Sequence, residues 1–460
     1  MDIKKFENLR EWSENQWLHA KLGDKRRNVR AIKLGINLMT NPKIGLTNQT
    51  NSWGDLKAAY RLCNEKDVTY EKLQETHIKN TQNIASHSNE KNVVLFIQDT
   101  SEIDYSTHKK TENLGPIGDN QGKGYMLHTC ISVIPYDNPE ILGLAMQTAW
   151  TRNEKAYKGN ETRIQRRRRK TEGDIWKTTI EKIGIAPTSE KAPYWVSVGD
   201  RGNDIFDFFL ASKVSNWHYL VRLCQNRKIE TDKNKYLKDF IRELPSKTKK
   251  EIKIRGRNGK SKRTIEVKVT WNQVTILPPK IDKHKNLSAV KGWVIRVWNI
   301  EENLEWILFS SLPVEDNKTA LEKVDWYSKR WLIEEYHKCL KSGCNIEKSQ
   351  LKTLEGLLSL LGFLAIVALR LLQIRTLSRL PQKYLAKDKV PQLMLEILCI
   401  KYNLSMEKLT IKDFWRKLAR LGGFLERKSD GNPGWQTLWI GWMQLQTLTE
   451  GAYLGSNKCG

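Results

Sequence analysis

Long apolar runs, secretory leaders and paired cysteines are all scarce in this chain, and each scarcity removes a class of protein. The opening residues, MDIKKFENLREW, hold no apolar stretch of the kind a secretory leader needs. The longest apolar run, Leu357 to Leu369, stops at Arg370, short of the roughly 20 residues that span a bilayer. It predicts a buried helix and no membrane partner. Seven cysteines, scattered and odd in number, make no disulfide framework. Without a leader, reduced thiols in a cytosol are expected. His337, Cys339 and Cys344 crowd together in HKCLKSGC, yet no second ligand pair follows at zinc spacing. GPIGDNQGKG has the glycines of a phosphate loop, but Gly124 stands where Ser or Thr should follow the lysine, which excludes that nucleotide site. No segment repeats.

What the chain has in excess is positive charge. Its 460 residues include 78 Lys and Arg against 52 Asp and Glu, a net +26. Self-repulsion on that scale calls for a polyanionic partner, nucleic acid ahead of an anionic membrane. The same balance argues against a carbohydrate hydrolase built on paired carboxylates. Seventeen tryptophans fill cores and, beside basic residues, suit stacking on bases. A chain this long exceeds one typical domain.

The segments read in order as helices, an α/β core, a run of strands, and helices again. Residues 1 to about 70 read as helical, and LGDKRRNVRAIK sets Arg26, Arg27 and Arg30 on successive turns with Leu22, Val29 and Leu34 as spacers. Such a face is either solvated or a set of phosphate contacts; in a chain of this charge, phosphate contact is expected. Val93 to Ile97 suits a central strand with Asp99 just past its end. Tyr194 to Val198 suits another, with Asp200 at its end before a helix near Ile205. Between them, two runs joined by Tyr-Asp-Asn-Pro read as a hairpin. The basic run Arg166 to Lys170 is a solvated loop or a DNA contact. His218 to Cys224 is a further strand. From Lys249 to Leu312, strand-like stretches such as RTIEVKVTW and QVTILP alternate with turn residues, a β-rich insertion.

Strand ends are where open α/β sheets build sites, although an Asp there also serves as an ordinary helix cap. A third acid comes from YSKRWLIEEYHKCLKSG, Tyr327 to Gly343. Read as one α-helix at 100° per residue, it brings Tyr327, Arg330, Trp331, Glu334, Lys338 and Lys341 within an arc of about 100°, with Glu335 at the margin. Three carboxylates meeting in one place repel unless cations hold them, and hard oxygen ligands suit Mg2+ or Mn2+. A pair of such ions serves phosphodiester displacement.

Tyr327, Arg330, Glu334 and Lys341 follow the spacing Tyr, two residues, Arg, three residues, Glu, six residues, Lys. With IQDTS around Asp99, GDRGNDI around Asp200, LGDKRR near the start, and ARLGGFLERK and GWQTLWIGW near the end, the chain resembles the insertion-sequence-four family of cut-and-paste DDE transposases. The RRRR segment at 166–169 departs from that pattern. The resemblance implies an α/β fold with an RNase H-like catalytic core over residues 71–370, carrying a β-rich insertion at about 226–316. It implies an N-terminal helical region, 1–70, that binds transposon ends, and a C-terminal helical region, 371–460, that pairs two protomers into a homodimer. Asp99, Asp200 and Glu334 would hold two Mg2+ ions, with Mn2+ able to substitute. Arg222, Tyr327, Arg330, Lys338 and Lys341 would hold phosphates near the cleavage point. Trp306 would stack on a flipped base with Trp331 beside it; on a strand, Trp306 is equally a candidate for core packing. The reaction implied is one-strand cleavage at each end of double-stranded transposon DNA, hairpin formation by the freed 3′-OH, hairpin opening, and attack on target DNA. The setting implied is a bacterial cytoplasm, on the nucleoid.

Overall fold

The structure, a computed structural model, describes residues 9–50, 52–88, 93–152, 171–231, 235–254, 263–280, 287–380, 384–427 and 429–456. Among them, apolar and β-branched stretches build one mixed sheet of ten strands. These are β1 (Val93–Asp104), β2 (Gly115–Ile117), β3 (Gly122–Ile134), β4 (Glu140–Trp150), β5 (Tyr194–Gly199), β6 (His218–Arg222), β7 (Thr248–Ile254), β8 (Arg263–Ile276), β9 (Val290–Asn299) and β10 (Leu304–Ser310). β1, β3 and β4 form an antiparallel meander, and β5 and β6 extend it in parallel from β1. The order β4-β3-β1-β5-β6 is the RNase H-like arrangement.

Successive side chains on a strand point to opposite faces. Leu95, Ile97, Val196, Val198, Leu220 and Leu308 therefore enter one core, while Val94, Phe96, Trp195, Val221 and Phe309 enter another. The second core is closed by α6 (Asp174–Ile183), α7 (Phe206–Val214) and α8 (Leu237–Glu243). The first is larger. It takes the N-terminal helices α1 (Leu9–Trp17), α2 (Lys25–Thr40), α3 (Leu46–Gln49), α4 (Trp53–Cys63) and α5 (Tyr70–Ser86). It also takes α9 (Asn317–Ser328), α10 (Trp331–Lys338), α11 (Leu354–Leu377), α12 (Gln392–Tyr402), α13 (Ile411–Leu421) and α14 (Trp435–Ser456).

The long apolar helix is α11, and 89% of its most apolar window is buried inside the protein. Helices from both ends of the chain pack on it. Trp17, fully buried, lies 5.0 Å from Phe363 of α11, and its indole N–H donates to the Leu73 carbonyl of α5. At the other end, α13 and α14 cross closely because Gly441 has no side chain; a Cβ there would lie 1.9 Å from the Leu418 carbonyl oxygen. α11 runs without a break through residue 370, where the sequence reading set a domain boundary.

The structure alters two expectations and shows where the insertion sits. β1 continues to Asp104, so Asp99 lies within it and not past its end. RTIEVKVTW and QVTILP are one strand, β8, paired along its length with β9. The β-rich insertion joins the same sheet: β10 returns to pair with β6, Leu308 opposite Arg222, and β9, β8 and β7 follow.

The loop after β5 is fixed by a buried ion pair. Asp204, whose side chain is fully buried, accepts Arg227 Nη2 at 2.6 Å and the backbone N–H groups of Cys224 and Gln225 at 2.8 and 2.6 Å. Removing one partner of a buried pair strands the other charge and costs about 3–5 kcal/mol. Asp204→Ala is expected to lower the unfolding free energy by that amount in a urea titration. Asp204→Asn should lose less, since its amide oxygen still accepts the backbone bonds. A loss within about 0.5 kcal/mol, the range of surface substitutions, would show that the pair does not hold this loop.

Candidate active site

Strand parity places the first two acids on one face. Asp99 shares the side of Leu95 and Ile97, and its antiparallel partner is Thr129. The parallel ladder to β5 stops at Ile97 and Val198, so Asp99 stands where β5 has ended. Asp200 follows directly after β5 with the parity of Val196 and Val198. It caps the turn Arg201–Asn203, its Oδ1 accepting the Gly202 N–H at 2.8 Å. Gly199 permits that turn to fold back, since a Cβ there would lie 2.5 Å from the Asn203 side chain.

Glu334 comes from α10, and here the single-helix reading of Tyr327–Lys341 is corrected. α9 ends at Ser328, and Lys329 and Arg330 donate to the Trp326 and Tyr327 carbonyls, three residues back. α10 begins at Trp331, and a π-helical turn, Cys339–Gly343, follows it. Both irregularities break the 100° step. Tyr327, Arg330, Trp331 and Glu334 still line one cleft. Lys338 is exposed outside it, and Lys341 turns to Glu347, with Nζ 3.3 Å from Oε1.

The electrostatics tie these groups together. Burial, then the Asp200 charge, with a smaller push from Glu334, raise Asp99 from 3.8 to about 7, against the pull of Arg330 and the Thr100 N–H. Burial alone would lower the Arg330 guanidinium, but Tyr327, Glu334, Asp99 and Asp200 together hold it above its ordinary value. Arg330 Nη2 also donates to Glu334 Oε1. Burial raises the Tyr327 hydroxyl, with Arg330 and Arg222 opposing. His337, one turn beyond Glu334, was not singled out as a site residue from sequence. Its Nδ1 lies 3.9 Å from Asp99 Oδ2, and burial lowers it to about 3, so the ring is neutral.

A cleft of about 980 Å3 leads from Glu334. Trp306 of β10 stands in its wall, edge-on to Tyr327 at 5.2 Å, and is only partly buried. Arg222, with the parity of Leu220, donates from Nη2 to the Glu305 carbonyl at 2.8 Å. Glu335 is buried and paired with Arg375, whose guanidinium lies 5.6 Å from the Trp331 ring. The sequence signal for Arg375 was a second cation, after Arg370, near the end of an otherwise apolar helix. The N-terminal arginines divide. Arg26 is 92% exposed and touches Asp24, whereas Arg27 pairs with Glu65 and Asp67, and Arg30 with Asp55. Val29 is exposed and so is no core spacer. Arg166–Lys170 lies outside the described residues.

Among the described residues, no three carboxylate, His or Cys side chains are already gathered as a ligand set. The donors nonetheless fit a hard divalent cation. Asp99 and Asp200 would offer carboxylate oxygens, and the burial and neighbouring Asp200 charge that raise Asp99 are a penalty a cation would relieve. Arg330 currently occupies Glu334.

A raised carboxylate makes the fold weaker as pH rises. Below 3.8 both folded and unfolded Asp99 are protonated; between 3.8 and about 7 the unfolded chain releases the proton and the folded one keeps it. Stability falls across that window and stays low above it, by up to about 4 kcal/mol at 1.36 kcal/mol per unit. In a chelator, Asp99→Asn is therefore expected to be more stable than the parent at pH 8, with the difference shrinking toward pH 4. Urea titrations of both proteins across that range check it; a difference independent of pH would contradict the raised Asp99 carboxyl.

Residues 9–68 match the family described as Transposase DNA-binding, residues 196–370 the Transposase DDE domain, and residues 395–458 the Transposase Tn5 dimerisation domain. The DDE match includes Asp200 and Glu334, while Asp99 lies before it. Among solved structures, the cryo-EM structure of the piggyBac transposase synaptic complex with hairpin DNA aligns with 96% of this chain and 83% of that one, at 8% identity and a TM-score of 0.36. A DNA-binding domain, a DDE domain and a Tn5-type dimerisation domain in succession are the domain order of a Tn5-like DDE transposase, an order that fits the insertion-sequence-four family, and this chain belongs to the Tn5-like DDE transposases.

Proposed function

We propose that this transposase moves DNA by a cut-and-paste route, with Asp99, Asp200 and Glu334 as its catalytic acids and a hairpin on the transposon end as an intermediate. The observation that carries the reading is the electrostatic coupling of Asp99 to both Asp200 and Glu334, on three separate elements, beside Arg330. A DDE domain implies dependence on a divalent metal ion, typically Mg2+. The three carboxylates would hold two such ions, Mn2+ substituting, and the ions when bound would supply activation of the attacking oxygen and stabilisation of the leaving one.

The chain's own residues position the DNA. Arg330 and Tyr327 flank the acids and, with Arg222, offer donors to the phosphates next to the cleavage point; Lys338 and Lys341 meet the strand from the far end of α10. Each step forms one phosphorus–oxygen bond as another breaks. Water cuts the first strand and leaves a 3′-OH. That hydroxyl displaces the opposite strand to close a hairpin, water reopens it, and the 3′-OH then attacks target DNA. Hairpin closure needs a sharp bend, which an extruded base relieves, and Trp306 is exposed to the cleft where such a base would stack. Arg26 supports end binding from the N-terminal domain, while Arg27 and Arg30 hold that domain's helices together and orient it. The site acts in the bacterial cytoplasm, on the nucleoid, as a homodimer on paired ends. On α14, Ile440, Leu448 and Leu454 are exposed within an arc of about 120°; this apolar stripe supports a pairing surface.

Asp99→Ala, Asp200→Ala and Glu334→Ala are each expected to abolish Mg2+-dependent nicking of end DNA while end binding survives in a mobility-shift assay. Nicking at the parental rate by Glu334→Ala would remove Glu334 from the chemistry. Glu335→Ala should fail differently, through a lowered melting temperature, because it strands Arg375.

Trp306→Ala should leave the first nick near the parental rate and slow hairpin formation about tenfold to a hundredfold, the equivalent of about 1–3 kcal/mol of base stacking. Labelled end DNA reports both steps. Equal loss of both, with a lower melting temperature, would assign Trp306 to packing.

Leu448→Lys with Leu454→Lys should keep single-end binding and lose paired-end complexes on native gels. Retained paired-end complexes would place the pairing surface elsewhere.

A further inference from the structure

The cleft beside Glu334 contains more cations than its acids can answer. Its carboxylates are Glu302, Glu305, Glu334 and Glu335. Each is taken: Glu302 by Arg263, Glu334 by Arg330, Glu335 by Arg375, and Glu305 by Arg242 and Arg296. Three lining cations, Arg222, Lys253 and Arg379, form no ion pair with a carboxylate among the described residues, although the Glu335 charge, already paired with Arg375, reaches Arg379. Lys253 is on β7, at the outer edge of the sheet, and Arg379 follows the end of α11, so the two come from separate elements of the cleft wall. Both side chains are exposed. Trp306, Tyr327 and Trp331 line the same cleft. Unpaired cations interleaved with rings suit a single strand, whose phosphates and bases are both available, better than a duplex, whose bases are stacked away.

We infer that Lys253 and Arg379 are backbone-phosphate contacts for an unpaired DNA strand lying across this cleft, an inference that rests on the transposase reading above. The shared chemistry is a DNA phosphate on a strand freed from its complement. Its source is either the strand beyond the cleavage point of the transposon end or an opened strand of target DNA.

The test uses the full chain with Lys253→Gln, Arg379→Gln and the double substitution. Binding is measured by fluorescence anisotropy across a salt series on end duplex with a single-stranded tail, on blunt end duplex, and on a tailed duplex of unrelated sequence. Each lost contact should flatten the slope of log K against log salt by about 0.7 on tailed DNA, the increment for single strands, and by about twice that in the double variant. Blunt end duplex should bind as the parent does. Flattening on the tailed end alone supports the contacts and assigns the strand to the transposon end. Flattening on both tailed DNAs supports them and admits target DNA. An unchanged slope on every tailed DNA, at the parental melting temperature, overturns the inference, as does equal flattening on blunt duplex. Mg2+-dependent nicking by the parental protein in the same preparation separates failure here from failure of the transposase reading.

Discussion

Repulsion between carboxylates on one face of a sheet is the constraint around which this site is built. Two unit charges 4 Å apart at an effective dielectric constant near 20 repel by about 4 kcal/mol. β1 and β5 run parallel, and strand alternation sends Asp99 and Asp200 to the same side where their ladder ends. Burial first, and then that geometry, raise Asp99 to about 7. Arg330 is acted upon by all three acids, together with Tyr327. It comes from the junction between α9 and α10, where three-residue hydrogen bonds replace the α-helical ladder. Straightening that junction would carry Arg330 and Glu334 to new positions relative to the strand ends. The helix break therefore belongs to the electrostatics of the site as much as to the fold.

Much of this was legible in the sequence, and the failures have physical causes. β5, with Asp200 behind it, was readable because YWVSV is followed at once by a glycine turn. β1 read as too short because Gln98 interrupts the apolar run. In the fold Gln98 is buried on the opposite face, donating to Ser197 at 2.9 Å and meeting His128 Nε2 at 3.0 Å. A polar pair satisfied across strands continues a strand without leaving an apolar mark. Asn272 and Gln273 also interrupt the apolar pattern in β8, but there the side chains are half-buried and exposed while the backbone stays in register with β9. The face shared by Tyr327, Arg330, Trp331 and Glu334 survived the helix break, since these residues are close in sequence. Lys338 and Lys341 did not stay on it, because the π-helical turn and the exposed end of α10 lie beyond the range over which a regular wheel holds. Arg27 and Arg30 looked like free cations because their carboxylates, Asp67 and Asp55, are 40 and 25 residues away.

The insertion shows how a segment far from the acids in sequence is made part of the site. It leaves after β6 and returns as β10, which pairs directly with β6. Leu308 opposes Arg222, so Trp306, two residues along β10, has the parity of Leu308 and faces the same side of the sheet as Asp99 and Asp200. Arg222 shares that side through Leu220. The ring, the guanidinium and the two aspartates are thus set by strands of one hydrogen-bonded sheet and the turn that follows β5. A side chain that stacks on DNA contributes more when it need not be ordered on binding, because immobilising a flexible group costs about 0.5–1.5 kcal/mol. Trp306 is braced by Tyr327 at 5.2 Å and by its pairing with Val297 of β9. Extending the catalytic sheet, in place of attaching a loop, delivers an aromatic wall whose position relative to the acids is fixed before any DNA arrives.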